Sequence, residues 1–367
     1  MADPRVERLA RLVVRYSIEA RKGQEIMIMG PAEAAPFVRE LYREVVQAGA
    51  YPLVLSSIDG TENVFFRYAS DEQIKHISPF RKYLYERADA MIGVSMSTNT
   101  RSGSGVPPEK LRMASVARTG LMKLMMERTA KGEFKWVAVP YPGNADAQEA
   151  SMSLMDYEEF VYSACLADRA DPIAEWKKVS SLQRKMVDRL NRVKELTFVG
   201  KDTDLTMSVE GRKWINCDGK HNLPDGEVFT GPVENSVDGK IRFTYPGIYM
   251  GREIEDIRLT FRDGKVVKGQ AAKGQELLNA LLKADPGSCR LGEVAIGTNL
   301  GIKAFTKNML FDEKLGGTVH MAIGAGYPES GAKNVSAVHW DILKDMRKGG
   351  RIIADGKLIY KDGKFLA

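Results

Sequence analysis

Short continuous apolar runs recur at wide intervals through the first 190 residues of this chain. They read EIMIMG at 25–30, YPLVLSS at 51–57, DAMIGVSM at 89–96 and KWVAVPYP at 135–142. Between them lie stretches with helical periodicity, at 4–22, 32–48, 62–88 and 108–131. Strands without polar alternation have no solvent face, so helices must cover both sides of the sheet they form. A chain built this way folds as a doubly wound α/β domain with a parallel sheet.

The pattern stops near residue 195, after a connecting helix predicted over 171–195. Short strands and Asp-Gly turns follow, as in LTFVGKDTDLTMSVEG and EDIRLTFRDGKVVKG, and such turns belong to hairpins. One helix is expected at 272–284. The expected organisation is therefore α/β: an N-terminal doubly wound parallel-sheet domain, residues 1–195, then a strand-rich α+β domain, residues 196–367. A length of 367 residues suits two domains.

Composition removes several classes of function. The net charge of +6, from 54 basic and 48 acidic residues, is interspersed rather than gathered into a basic tail, so no nucleic-acid partner is expected. Cys165, Cys217 and Cys289 are too sparse for a disulfide framework or a cysteine zinc site. No apolar run reaches the ~18 residues of a membrane span, and the N-terminal stretch is charged throughout. A cytoplasmic protein without a membrane partner is the expectation.

Possible chemistry is concentrated in the second half. In NVSAVHWD (334–341), a strand would project His339 and Asp341 together and Trp340 to the other side. An imidazole beside a carboxylate makes two ligands for a divalent transition metal, and equally a plain hydrogen-bonded pair. In GGTVHMAIGAGYP (316–328), Thr318, His320 and Ala322 share a face, and small neighbours leave space beside the histidine for a ligand. Tyr327 follows a Gly-rich turn; a packed core histidine and tyrosine fit the same residues.

Glu293 lies inside the apolar strand LGEVAIG, where a carboxylate needs a partner, either a metal or a basic side chain. Glu227 follows the Pro-Asp-Gly turn of NLPDGEVFTGP and also fits an exposed turn residue. Taken together, three carboxylates and two imidazoles suit a pair of divalent cations, with a bridging hydroxide bringing the charge to zero. Such a pair is a hydrolytic centre.

NLPDGEVFTGPVENSVDGKI, LGEVAIGTN, FDEKLGGTVHMAIGAGYP and SAVHWD, in this order, make the chain resemble the thermophilic-aminopeptidase family of metallopeptidases. The likeness is strong over 210–360 and architectural before that. It implies a cytoplasmic, homodimeric, dinuclear metallo-aminopeptidase acting on short peptides. It also implies metal ligands at Glu227, Glu293, His320, His339 and Asp341, with two zinc, cobalt or manganese ions. Glu293 is expected to bridge them and to serve in catalysis. Tyr327 is expected to hold the oxyanion, and Glu227 or Glu313 to carry the proton. The segment from Tyr327 to His339 reads as shorter than the family's.

Two rivals stand beside this reading. A dinucleotide-binding oxidoreductase needs GxGxxG after the first strand, and EIMIMGPAEAAPF has one glycine there. SGSGV at 102–106 reads as a loop or as an anion site at a helix start. The second rival is a family member without peptidase activity that binds metal or peptide.

Overall fold

The computed structural model describes residues 3–366 and divides them into two compact units. The first unit spans Met1–Glu175 together with Gly219–Pro224, and the second holds Trp176–Asp218 and Asp225–Ala367. The division falls inside the helix Pro172–Leu190.

The first unit has a four-stranded, wholly parallel sheet in the order Tyr51–Ser57, Glu25–Pro31, Ala90–Ser95, Lys135–Pro140. Ile26, Ile28, Ile92, Val137 and Val139 are buried in its middle, under helices that bury Leu9, Leu12, Phe37 and Leu41. One strand departs from the expected burial on both faces. Tyr51–Ser57 is an edge and exposes Tyr51, Leu53 and Val54.

The helical stretch at 62–88 is three helices, Thr61–Tyr68, Asp71–Lys75 and Pro79–Arg87. Ser70 and Gln73 form a capping box that restarts the chain, and Pro79 opens the last helix because its missing N–H is not needed there. The stretch at 4–22 is an α-helix, Pro4–Leu12, that widens into a π turn over Val13–Ser17. Residues Gly219–Pro224 lie along the Lys135–Pro140 strand: the Ala138 N–H donates to His221 O at 2.8 Å, and Lys220 pairs with Glu19 at 2.7 Å.

Among the described residues the second unit has two large antiparallel sheets over one core and a short antiparallel pair, Gly247–Tyr249 with Arg252–Ile254. The larger has eight strands, from Lys265–Gln270 at one edge to Lys364–Phe365 at the other. The smaller runs His339–Asp345, Thr318–Gly324, Leu291–Gly297, Glu227–Thr230, Ile215–Cys217. Strand period two divides the smaller sheet sharply. Val228, Val294, Ile296, Val319, Met321, Trp340 and Ile342 join Phe198, Leu205, Ile241 and Leu259 of the larger sheet in the core. The alternate residues, Glu227, Glu293, His320, His339 and Asp341, are left for the opposite face.

Candidate metal centre

Register brings these alternate residues together. Asp341 pairs with Ala322, and Ala322 with Glu293. His320 pairs with Ala295, His339 with Gly324, and Glu227 with Gly297. Alanine or glycine stands opposite each of these side chains on one neighbouring strand, which leaves room between them, while Leu343 and Cys217 stand opposite His320 and Glu227 on the other. A bulge at Leu291–Glu293 re-aims Glu293, and Gly292 permits it, since a Cβ there would lie 2.1 Å from Ala325 O.

The side chains converge as two overlapping groups. His320 Nε2 lies 3.3 Å from Glu293 Oε1, 3.4 Å from Glu227 Oε2 and 3.9 Å from Asp341 Oδ1. His339 Nε2 lies 3.5 Å from Asp341 Oδ2 and 3.6 Å from Glu293 Oε2. Glu293 therefore offers one oxygen to each histidine. Ligands about 2.1 Å from a tetrahedral ion stand about 3.4 Å apart, the scale of these separations.

Each histidine has its other nitrogen occupied. His320 Nδ1 meets Glu313 O at 2.9 Å, and His339 Nδ1 meets Ala325 O at 2.8 Å. A carbonyl only accepts, so Nδ1 carries a hydrogen in each ring, and Nε2 is the nitrogen that faces the carboxylates. That is how ligating histidines are oriented. Glu227 Oε2 and Asp341 Oδ1 are buried without a hydrogen-bond partner. Buried carboxylate oxygens without a donor call for a cation.

Charge points the same way. Burial raises the Glu293 carboxyl above its ordinary range, against the neighbouring His320 ring, and Asp341 adds to the rise. Burial lowers the His320 imidazole, but Glu293, Glu227 and Asp341 outweigh it and leave it raised. Glu227 and Glu313 pair with the Lys314 ammonium, and Glu227, Asp225 and Asp341 hold its pKa up against its burial.

Tyr327 is 40% exposed, with its ring 5.0 Å from His339 and 5.4 Å from Phe229. Burial of its hydroxyl end and the carboxylates hold the phenol in its protonated, donating form, because both raise its pKa. The turn that carries it is pinned by Ser330, whose hydroxyl donates to Tyr327 O at 2.7 Å. His221 is elsewhere, stacked on Trp136 at 4.9 Å in the first unit.

Three neighbours were not expected from the sequence. Lys314 is fully buried, 3.6 Å from Glu227 Oε1 and paired with Glu313. Cys217 and Asp225 lie beside Glu227, and burial raises the Cys217 thiol well above its ordinary value, which keeps it neutral. The available signal was a lysine just before Gly316-Gly317 and a buried strand, which by itself looks like a surface turn.

A profile of the Thermophilic metalloprotease (M29) family matches residues 2–365. The chain belongs to this family. Aminopeptidase T of Thermus thermophilus is 30% identical to this M29 chain over 357 residues, 89% of the chain and 85% of the relative. Aminopeptidase 2 of Geobacillus stearothermophilus is 29% identical, covering 99% of the chain and 98% of the relative. The solved structure of wild-type AmpT from Thermus thermophilus aligns over 99% of both chains, with TM-score 0.85 and 28% identity. A 2,5-dihydroxypyridine dioxygenase from Pseudomonas putida KT2440 shares the fold, with TM-score 0.63 at 13% identity over 99% of this M29 chain. That likeness concerns the fold alone, and the reaction must be argued from the site.

Proposed function

We propose that this M29 metalloprotease is a dinuclear aminopeptidase that releases N-terminal residues from short peptides. The observation that carries the reading is the convergence of two Nε2 nitrogens and two unpartnered buried carboxylate oxygens on the shared carboxylate of Glu293. His320, Glu227 and Glu293 would hold one ion; His339, Asp341 and Glu293 would hold the other. Nitrogen and oxygen donors of this kind suit zinc, cobalt or manganese. Bound there, divalent cations would supply Lewis acidity to the scissile carbonyl and bring the pKa of water toward neutrality.

The remaining work falls to the chain. Tyr327, a protonated phenol at the exposed rim, donates a hydrogen bond to the oxyanion as the carbonyl carbon becomes tetrahedral. The Nδ1 bonds keep both rings from rotating, so the site is set before substrate arrives. The aminopeptidase names of the relatives support a free N-terminus as the group recognised. Free cysteines at 165, 217 and 289 support a reducing, cytoplasmic setting. Among the described residues no helix is long and apolar enough to cross a membrane.

Elemental analysis of the purified chain tests the reading. Two divalent ions per chain are expected, and Glu293→Gln should lose both with the activity. One ion per chain, or two retained by Glu293→Gln, would contradict it.

A further inference from the structure

Lys314 is the least expected side chain in the metal centre. An ammonium taken out of water costs several kcal/mol, and an apolar side chain of similar size would commonly be as stable there. Its cost is met by carboxylates: Glu227 Oε1 lies 3.6 Å from Nζ, and Glu313 pairs with it on the other side.

The backbone around it is fixed. Lys314 O accepts from the Asn299 N–H at 3.0 Å, and the Lys314 N–H donates to Phe311 O at 3.0 Å. Asn299 Nδ2 in turn donates to Asp225 O at 2.7 Å. Gly226 has φ +116° and approaches Asn299 so closely that a Cβ would lie 2.8 Å from the Asn299 Cβ. Asn299 therefore holds both the lysine and the turn that delivers Glu227. The backbone end of Glu227 is tied as well, its carbonyl accepting from Gln183 Nε2 at 2.6 Å.

The two oxygens of Glu227 are then unlike. Oε1 faces the ammonium; Oε2 has no hydrogen-bond partner and faces His320 Nε2 at 3.4 Å. We propose that Lys314 is a positioning residue that engages Glu227 Oε1 and so presents Oε2 alone to one of the two metal positions. The inference rests on the two-metal reading above. It assigns the lysine to the position built from Glu227, Glu293 and His320. The ion pairs of the lysine are with Glu227 and Glu313, not with the Glu293, His339 and Asp341 that build the other position.

Calorimetric titration of the metal-stripped full chain with Co²⁺, followed also by its visible absorption, tests this. Wild type should show two binding steps. Lys314→Met should weaken one step by roughly 10- to 100-fold, the loss typical when a group that orients a metal ligand is removed, and leave the other within about 3-fold. Glu227→Gln should weaken the same step. The double variant should add little to either, because both changes remove one interaction.

Tightening of both steps in Lys314→Met would make the lysine a mere opposing charge and overturn the proposal. Equal weakening of both steps, no change in either, or fully additive losses in the double variant would also overturn it. If Lys314→Met does not fold, Lys314→Gln carries the same test through loss of the charge. A wild-type chain with a single Co²⁺ step would instead overturn the two-metal reading, and this role with it.

Discussion

A histidine ring has two nitrogens, and in His320 and His339 the fold engages Nδ1 with a backbone carbonyl and turns Nε2 toward carboxylates. Glu293 is the carboxylate that lies within reach of both rings, one oxygen toward each. Tyr327→Phe removes one donor and nothing else. It should lower kcat on the order of 100-fold with metal content unchanged, measured by steady-state kinetics beside elemental analysis; a full rate would remove the tyrosine's role and leave the metals.

Asp312 makes a prediction of a different kind. Burial raises its carboxyl to about 7, against hydrogen bonds from Thr306. In an unfolded chain the group would titrate near the ordinary value of 3.8. Between those two values the folded form holds a proton that the unfolded form has lost, so this group's contribution to stability falls as pH rises from about 4 to about 7. Asp312→Asn removes that loss. Thermal unfolding across this range should show a flatter decline for the variant than for wild type; identical slopes would contradict the assignment.

Much of this was legible in the chain. Period two placed His339 and Asp341 together with Trp340 opposite, and the structure has Trp340 in the core. It equally put Glu293 on a face with Ala295 and Gly297. Lys314 was not legible, because its burial depends on Asn299 and Glu227, fifteen and eighty-seven positions away. No local pattern reports such packing.

At the scale of elements, the alternation of apolar runs and helices placed all four parallel strands, since nothing competes with a continuous apolar run in a sheet covered on both sides. The helical breaks within 62–88 were harder. They turn on a capping box at Ser70 and on Pro79, single residues inside an otherwise continuous period. No helix was expected over 143–170, where Asn144–Glu149 and Leu154–Ala164 form; Ser153 caps the second by accepting from the Asp156 N–H.

The His339–Asp345 strand also depends on how it is backed. Trp340 donates Nε1–H to Ile248 O at 3.1 Å, and a Cβ on Gly247 would lie 2.4 Å from the indole. Gly247→Ala must push the tryptophan or the strand, at a cost of about 1–3 kcal/mol for overpacking. Chemical denaturation should show that loss, together with weaker metal binding as His339 and Asp341 shift. An unchanged midpoint would mean that the core relaxes around the methyl group.

For the whole molecule, the exposed edge strand Tyr51–Ser57 bears Tyr51, Leu53 and Val54, followed by exposed Ile58. An open apolar edge favours association, and we expect a twofold homodimer in solution. Sedimentation equilibrium at micromolar concentration should give twice the chain mass of 40.8 kDa, and a stable monomer would count against the dimer.

The reaction itself is tested most directly by one comparison of substrates. The peptide Leu-Gly-Gly and its N-acetylated form are incubated with the metal-loaded and the metal-stripped chain, and release of the first residue is followed. The account predicts cleavage of the free peptide alone, by the loaded protein alone, restored when metal is returned. Equal cleavage of both peptides, or cleavage that survives complete removal of metal, would contradict it.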